Sequence, residues 1–178
     1  MKKEVKNEIM DWIKTICASL IIAISITAVI QPTIVSGQSM YPTLENKDYL
    51  IVNKLAYNRE LPNRGDIIVF KTSLIDDERN EKKNLVKRII ALPGDHLVIE
   101  DNEVYINEKL LKEDYLTGVY TYGDIDMIVP ANEIFTMGDN RENSDDSRKD
   151  YIGTISLDDI VGEVVLRAYP FNNMGKVK

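Results

Sequence analysis

Residues 13–30 read IKTICASLIIAISITAVI, 18 positions with one charge, Lys14, at the leading edge. Coiled as a helix at about 1.5 Å per residue, the run is roughly 27 Å long, close to the hydrocarbon thickness of a bilayer. The Lys14 stem can reach toward the headgroups from that edge. Gln31-Pro32 closes the run, because proline lacks an N–H and restricts the residue before it. Lys2, Lys3 and Lys6 precede it, and basic residues on a short leading tail predict a cytoplasmic N-terminus. A cleaved leader would share these features. However, no convincing small-x-small cleavage site follows, and the run is long for a leader's apolar core. A buried core helix is the other alternative, although so small a domain would struggle to cover so long an apolar surface. The pattern predicts one uncleaved span, with everything after Pro32 outside.

Beyond Pro32 the chain changes to short runs rich in Val, Ile and Tyr. Strands are predicted over residues 49–53, 66–72, 84–91, 96–100, 103–106, 127–129, 134–137 and 160–168. Turn residues separate them: Asn63-Arg64-Gly65, Pro93-Gly94-Asp95, Asp101-Asn102 and Gly138-Asp139-Asn140. Asp101-Asn102 between two runs predicts a tight hairpin. Residues 73–83 (SLIDDERNEKK) are charge-rich and predicted as a solvated loop. Residues 108–126 are polar and poorly patterned, a small cap or an exposed loop. The fold class expected is mainly β behind one transmembrane helix. Residues 1–31 form a short tail and anchor, and residues 32–178 a β-rich extracytoplasmic domain with a small cap around 100–130.

Composition narrows the chemistry. The chain has 178 residues, enough for one compact domain and an anchor, with 44% hydrophobic and 29% charged positions, a globular balance. A net charge of -7 makes a phosphate backbone a poor partner, so nucleic-acid binding is not expected. The single cysteine, Cys17, allows no intrachain disulfide and no Cys-based metal site. The single histidine, His96, leaves no second imidazole for zinc, and any Ser-His-Asp triad would have to use it. Neither a metal nor a cofactor is expected.

Three segments carry candidate chemistry, each with a plainer alternative. Residues 36–44 read SGQSMYPTL; a serine between a glycine and a proline also suits an ordinary loop. Residues 87–95 read KRIIALPGD. On a strand, Leu85, Lys87 and Ile89 share one face. A lysine between apolar neighbours on a covered face is a candidate for a lowered pKa, because desolvation disfavours the ammonium. The same lysine could equally guard an edge strand against aggregation. Residues 138–148 read GDNRENSDDSR, which alone is also a hydrophilic turn.

In order and wording, these segments resemble the signature boxes of bacterial type I signal peptidases. The anchor corresponds to the first box, SGQSMYPTL to the serine box, residues 65–70 (GDIIVF) to an intermediate strand box, KRIIALPGD to the lysine box and GDNRENSDDSR to the last. Residues 164–171 (VVLRAYPF) are similar to the family's closing strand. The resemblance covers nearly the whole chain, and the short gap between the last two boxes matches the compact members with one span.

The resemblance implies a membrane-bound serine endopeptidase that removes signal peptides. Ser39 would be the nucleophile and Lys87 the general base; eukaryotic relatives carry histidine at that position, so the lysine implies the bacterial mechanism. Ser144 would orient Lys87, Asp146 and Arg148 would form a supporting ion pair, and Asp139 would pair with Arg88. The oxyanion hole would use the Ser39 N–H and the Gly37 region. Some members have a serine where this chain has Gly37, which leaves the second donor unassigned and makes Gly37→Ser an expected tolerated change. Shallow apolar pockets lined by Val35, Met40, Leu44, Leu85 and Val86 would select small residues at the first and third positions before the cut. The implied partners are secretory preproteins, membrane lipids and the export translocon. The implied location is the cell membrane, with a cytoplasmic N-terminus. Of the rivals, a catalytically dead relative is opposed by the intact Ser39, Lys87, Ser144 and Asp146. A penicillin-recognising hydrolase needs Ser-x-x-Lys and a longer fold. A self-cleaving repressor would not carry the anchor.

Overall fold

A computed structural model describes residues 2–76, 81–116 and 118–177. Helix α1 (Lys2–Val29) contains the apolar run. Its Lys6–Val29 portion is long and apolar enough to cross a membrane, and none of that stretch is buried against the rest of the chain. This excludes the core-helix alternative. The helix stops at Val29, and β1 (Ile30–Ile34) follows without a linker. The predicted boundary at Gln31-Pro32 therefore moves: Pro32 lies inside an edge strand, where an absent N–H leaves no ladder bond unmade. The joint is pinned from β2 (Tyr49–Asn53). Just past it, the Lys54 N–H donates to Val29 O at 2.8 Å, and Lys54 Nζ donates to Thr27 O at 3.4 Å.

The remaining strands are β3 (Ile67–Asp76), β4 (Glu81–Ala91), β5 (His96–Glu100), β6 (Glu103–Ile106), β7 (Lys109–Leu110), β8 (Ile125–Ile128), β9 (Glu133–Met137), β10 (Ile155–Ser156) and β11 (Ile160–Tyr169). Seven form an antiparallel sheet in the order β1-β2-β11-β3-β4-β9-β10, and four form a smaller one in the order β7-β6-β5-β8. The mainly β expectation holds. Asp101 and Asn102 both have positive φ, as a tight hairpin between β5 and β6 requires. The expected charged loop at 73–83 is corrected. Ile75 pairs with Lys82 and Asp76 with Glu81, so the β3–β4 pairing extends into that segment, and residues 77–80 lie outside the described ones. The charged side chains obscured a pairing made by backbone alone. The cap expected around 100–130 is mostly the smaller sheet.

Alternation along β3 sorts the core. Ile67 and Val69 join Val35, Met40, Leu44, Leu50, Val52 and Val164 in one cluster. Ile68 and Phe70 join Ile89, Ile134 and Ile155 in another. The smaller sheet packs on a third, built around Leu97, Ile99, Phe135 and Met137.

Candidate active site

Ser39 lies in the loop between β1 and β2. The loop is fixed because Met40 and Leu44 are fully buried beneath it, and Val35 N–H donates to Asp48 O at 2.9 Å across its base. Lys87 comes from β4, where the predicted alternation holds. Leu85 and Ile89 pack in one cluster and Val86 against another. Pairing of β4 with β9 begins only at Arg88, opposite Met137, so Lys87 stands where the outer edge of β4 becomes free. The lysine side chain is nonetheless covered, at 2% exposure, and its Nζ donates to Ser39 Oγ at 2.7 Å and to Val86 O at 3.1 Å. Burial brings its pKa down to about 8, although the Asp146 and Asp145 carboxylates oppose the shift. An unperturbed lysine near 10.4 would be under about 0.1% neutral at pH 7, whereas this amine is roughly one-tenth neutral there.

The last box closes over this pair. Asp139 accepts from Arg88 Nε at 2.9 Å and Nη2 at 2.7 Å, and from Thr43 Oγ1 at 2.5 Å. Asp146 accepts from Arg148 Nε at 2.8 Å and Nη2 at 2.9 Å, and from the Gly138 N–H at 3.0 Å. Burial pushes the Asp146 carboxyl up, but Arg148 and the Gly138 N–H outweigh it and hold the group below the usual carboxylate range. Both expected ion pairs are thus present as geometry. Ser144 differs from expectation. Its buried Oγ is near enough to Asp146 to help lower that carboxyl, but it makes no hydrogen bond, so the expected contact with Lys87 is not formed.

The expectation for Gly37 changes, while the residues expected to line the pockets separate in the core. Leu85 packs with Ile68 and Phe70, apart from the cluster that holds Val35, Met40 and Leu44 with Val86 against it. The five residues thus fall in two clusters. Gly37 has φ +98°, and its N–H donates to Asn46 Oδ1 at 3.0 Å. A side chain would find open space there but a backbone conformation that L-residues avoid. Gly37→Ser is therefore expected to lower stability by about 1–2 kcal/mol, read as a shift in the urea midpoint, rather than to be neutral.

Sequence reading missed Asn140 and Gly138. The Asn140 N–H donates to Ser39 O at 3.0 Å and its Nδ2 to Gln38 O at 3.0 Å, holding the Ser39 backbone. The only available signal was their place in the last box. His96 sits on β5 between the Glu108 and Asp126 carboxylates, at 3.0 and 2.7 Å, and takes no part in the Ser39 contacts. A cavity of about 450 Å³ lined by Arg64, Asp66, Glu163 and Val177 includes neither Ser39 nor Lys87. Among the described residues, no three metal-ligating side chains cluster.

A β-rich domain with a buried amine on a serine hydroxyl has the geometry of a serine peptidase. The family model described as signal peptidase, peptidase S26, matches residues 9–169, and the chain belongs to that family. Signal peptidase I of Leptolyngbya laminosa is 37% identical over 174 positions, covering 96% of this chain and 85% of that one. Signal peptidase I P of Bacillus subtilis subsp. natto is 36% identical over 188 positions, covering 99% and 98%. A crystal structure of a signal peptidase I from Enterococcus faecalis aligns with 60% of this chain and 98% of its own, at 32% identity and a TM-score of 0.49.

Proposed function

We propose that this type I signal peptidase cuts signal peptides from exported preproteins with Ser39 as nucleophile and Lys87 as general base. The 2.7 Å contact between Lys87 Nζ and Ser39 Oγ carries the reading. Neutral Lys87 takes the hydroxyl proton as Oγ attacks the scissile carbonyl carbon. The ammonium so formed gives that proton to the leaving amine, and water, activated by the same amine, then cleaves the acyl-ester. The Ser39 N–H has no partner among the described residues and serves as one oxyanion donor. Arg148 and Arg88, with their carboxylates, hold the loop around the pair. Ser144 comes into play if its unpartnered hydroxyl turns toward Lys87 when substrate arrives.

The free edge of β4 before Arg88 supports a substrate bound as an added strand, with main-chain hydrogen bonds giving affinity. Met40 and Leu44 are wholly buried beside Ser39, and Val35 nearly so. Shallow apolar pockets over these side chains would favour small residues next to the cut. A lipid partner is supported by an exposed apolar face that continues from the anchor: Ile30 and Ile34 on β1, then Tyr49, Tyr169 and Phe171. In this reading residues 32–178 lie outside against the membrane, and the export translocon is the neighbour that delivers preproteins. External protease on intact spheroplasts should remove the catalytic domain; protection until lysis would overturn that orientation.

The deciding assay is preprotein cleavage by the full-length enzyme in lipid vesicles, with Ser39→Ala as control. An active Ser39→Ala protein would sink the assignment. Because the neutral amine is the working form, kcat/KM should rise with pH along a limb with apparent pKa near 8 and level off above it. A limb near 10 would show that Lys87 is not desolvated in the working enzyme.

A further inference from the structure

Two arginine–carboxylate pairs in the site, Arg88–Asp139 and Arg148–Asp146, lie within the signature boxes. A third reaches outside them. Arg141 is 2% exposed, and its guanidinium meets Glu113, in the stretch between β7 and β8 that no strand pattern marks. Arg141 Nη1 donates to Glu113 Oε2 at 2.9 Å and Nη2 to Oε1 at 2.5 Å, a two-pronged contact, and Nη1 also donates to Thr121 Oγ1. Tyr115 Oη donates to Glu113 Oε1 at 2.5 Å, and its ring lies 3.9 Å from the Arg88 guanidinium carbon. Arg148 ties the same pieces together, donating to Arg141 O at 2.7 Å and Tyr122 O at 3.2 Å. Glu113, Tyr115, Thr121 and Tyr122 thus fasten this stretch across the back of the last box.

The remaining Arg141 donor points at the site. Its Nε donates to Gly138 O at 3.1 Å, while the Gly138 N–H is held by Asp146. Gly138 is so close to Ser39 that a Cβ built on it would stand 2.3 Å from Ser39 O. Both polar groups of this glycine are therefore fixed by buried ion pairs, and the glycine backs the nucleophile. We propose that Glu113 and Arg141 are positioning residues for the reaction, holding the Gly138 turn, and through it the Ser39 backbone, in register with Lys87. The role presupposes Ser39 and Lys87 as the reacting pair.

A pair that positions leaves a signature that simple stabilisation does not. The charged groups around Lys87 are Asp145 and Asp146 with Arg148, Asp139 with Arg88, and Lys83 on its own strand. Asp139 also faces Arg141. Removing the Glu113 charge leaves an unbalanced cation in this network, which disfavours the Lys87 ammonium. Removing the Arg141 charge leaves an unbalanced anion, which favours it.

The test measures kcat, KM and the pH profile of Glu113→Gln and Arg141→Gln in full-length enzyme in vesicles, corrected for folded fraction by circular dichroism. Expected is a kcat loss of about 10-fold to 100-fold with KM nearly unchanged, the scale set by small misplacements of a reacting group. The limb of kcat/KM should move to lower pH in Glu113→Gln and to higher pH in Arg141→Gln. Tyr115→Phe removes one donor to Glu113 without unpairing a charge, so it keeps the question open to measurement should Arg141→Gln fail to fold; a kcat loss of a few-fold is expected. The role is overturned if kcat follows the folded fraction alone with the limb unmoved, or if Glu113→Gln turns over like the parent. An active Ser39→Ala control would instead sink the Ser39–Lys87 reading, so the two failures are distinct.

Discussion

Lys87→Arg is expected to abolish cleavage, with kcat down on the order of 10⁴-fold or more, the scale of losing a nucleophile's base. A guanidinium cannot give up its proton, so it cannot take one from Ser39. It also brings a permanently charged fork to a site that holds one amine at 2% exposure. Lys87→Met separates chemistry from folding. It should be equally inactive yet more stable, because the parent enzyme carries an amine whose pKa falls from 10.5 to about 8 on folding. The folded protein binds fewer protons there than the unfolded chain, so the penalty is full below pH 8 and disappears above about 10.5. Lys87→Met should therefore gain up to about 3 kcal/mol at pH 7, and the gain should fade as pH rises through that window. Thermal unfolding at pH 7 and 10 reads the stability, and peptide cleavage reads the activity. Near-parental turnover in Lys87→Arg would mean that another group deprotonates Ser39.

Gly138→Ala is the second large effect. Its added Cβ would stand 2.3 Å from Ser144 Oγ, 2.3 Å from Ser39 O and 2.8 Å from Ser144 Cβ. The Ser144 hydroxyl can rotate away. The Ser39 carbonyl is backbone, held by the Asn140 N–H, and can yield only by moving Ser39. A displacement approaching 1 Å costs about 100-fold in rate, and more where the proton acceptor must also be reached. Gly138→Ala should thus lose roughly 100-fold to 1000-fold in kcat, in contrast with Gly37→Ser, where strain is paid for in stability. Turnover within a few-fold of the parent would show that the serine loop moves freely.

The strands that alternation and turn residues mark cleanly, β2, β5 and β6, begin and end where the sequence places them. Those it missed have physical reasons. β1 reads as the end of the span, because its apolar positions Ile30 and Ile34 face outward rather than inward. β7 and β10 are two residues each, too short to carry a period. In the site, Ser39, Lys87 and the two ion pairs were legible because they sit at fixed places in recognisable segments. The Glu113–Arg141 pair was not. Its acidic partner lies 28 positions away in a segment without periodicity, and only the chain's return path brings the two together. Ser144 was legible as a position but not as a contact, since a hydroxyl's direction depends on local packing.

The unlinked joint between α1 and β1 has a mechanical consequence. The apolar run of that helix, residues 13–29, is roughly 26 Å long, against about 30 Å of hydrocarbon. That length licenses no particular angle; the tilt is set by packing and by interfacial anchors. With Lys54 bonded to both Thr27 O and Val29 O, the tilt is not absorbed at the joint but passed into the sheet. If the helix spans the membrane as proposed, the anchor acts as a lever, and bilayer thickness sets the height and attitude of Ser39 above the headgroups. Vesicles of longer or shorter acyl chains should change cleavage of membrane-inserted preproteins while leaving a short soluble peptide cut at the same rate.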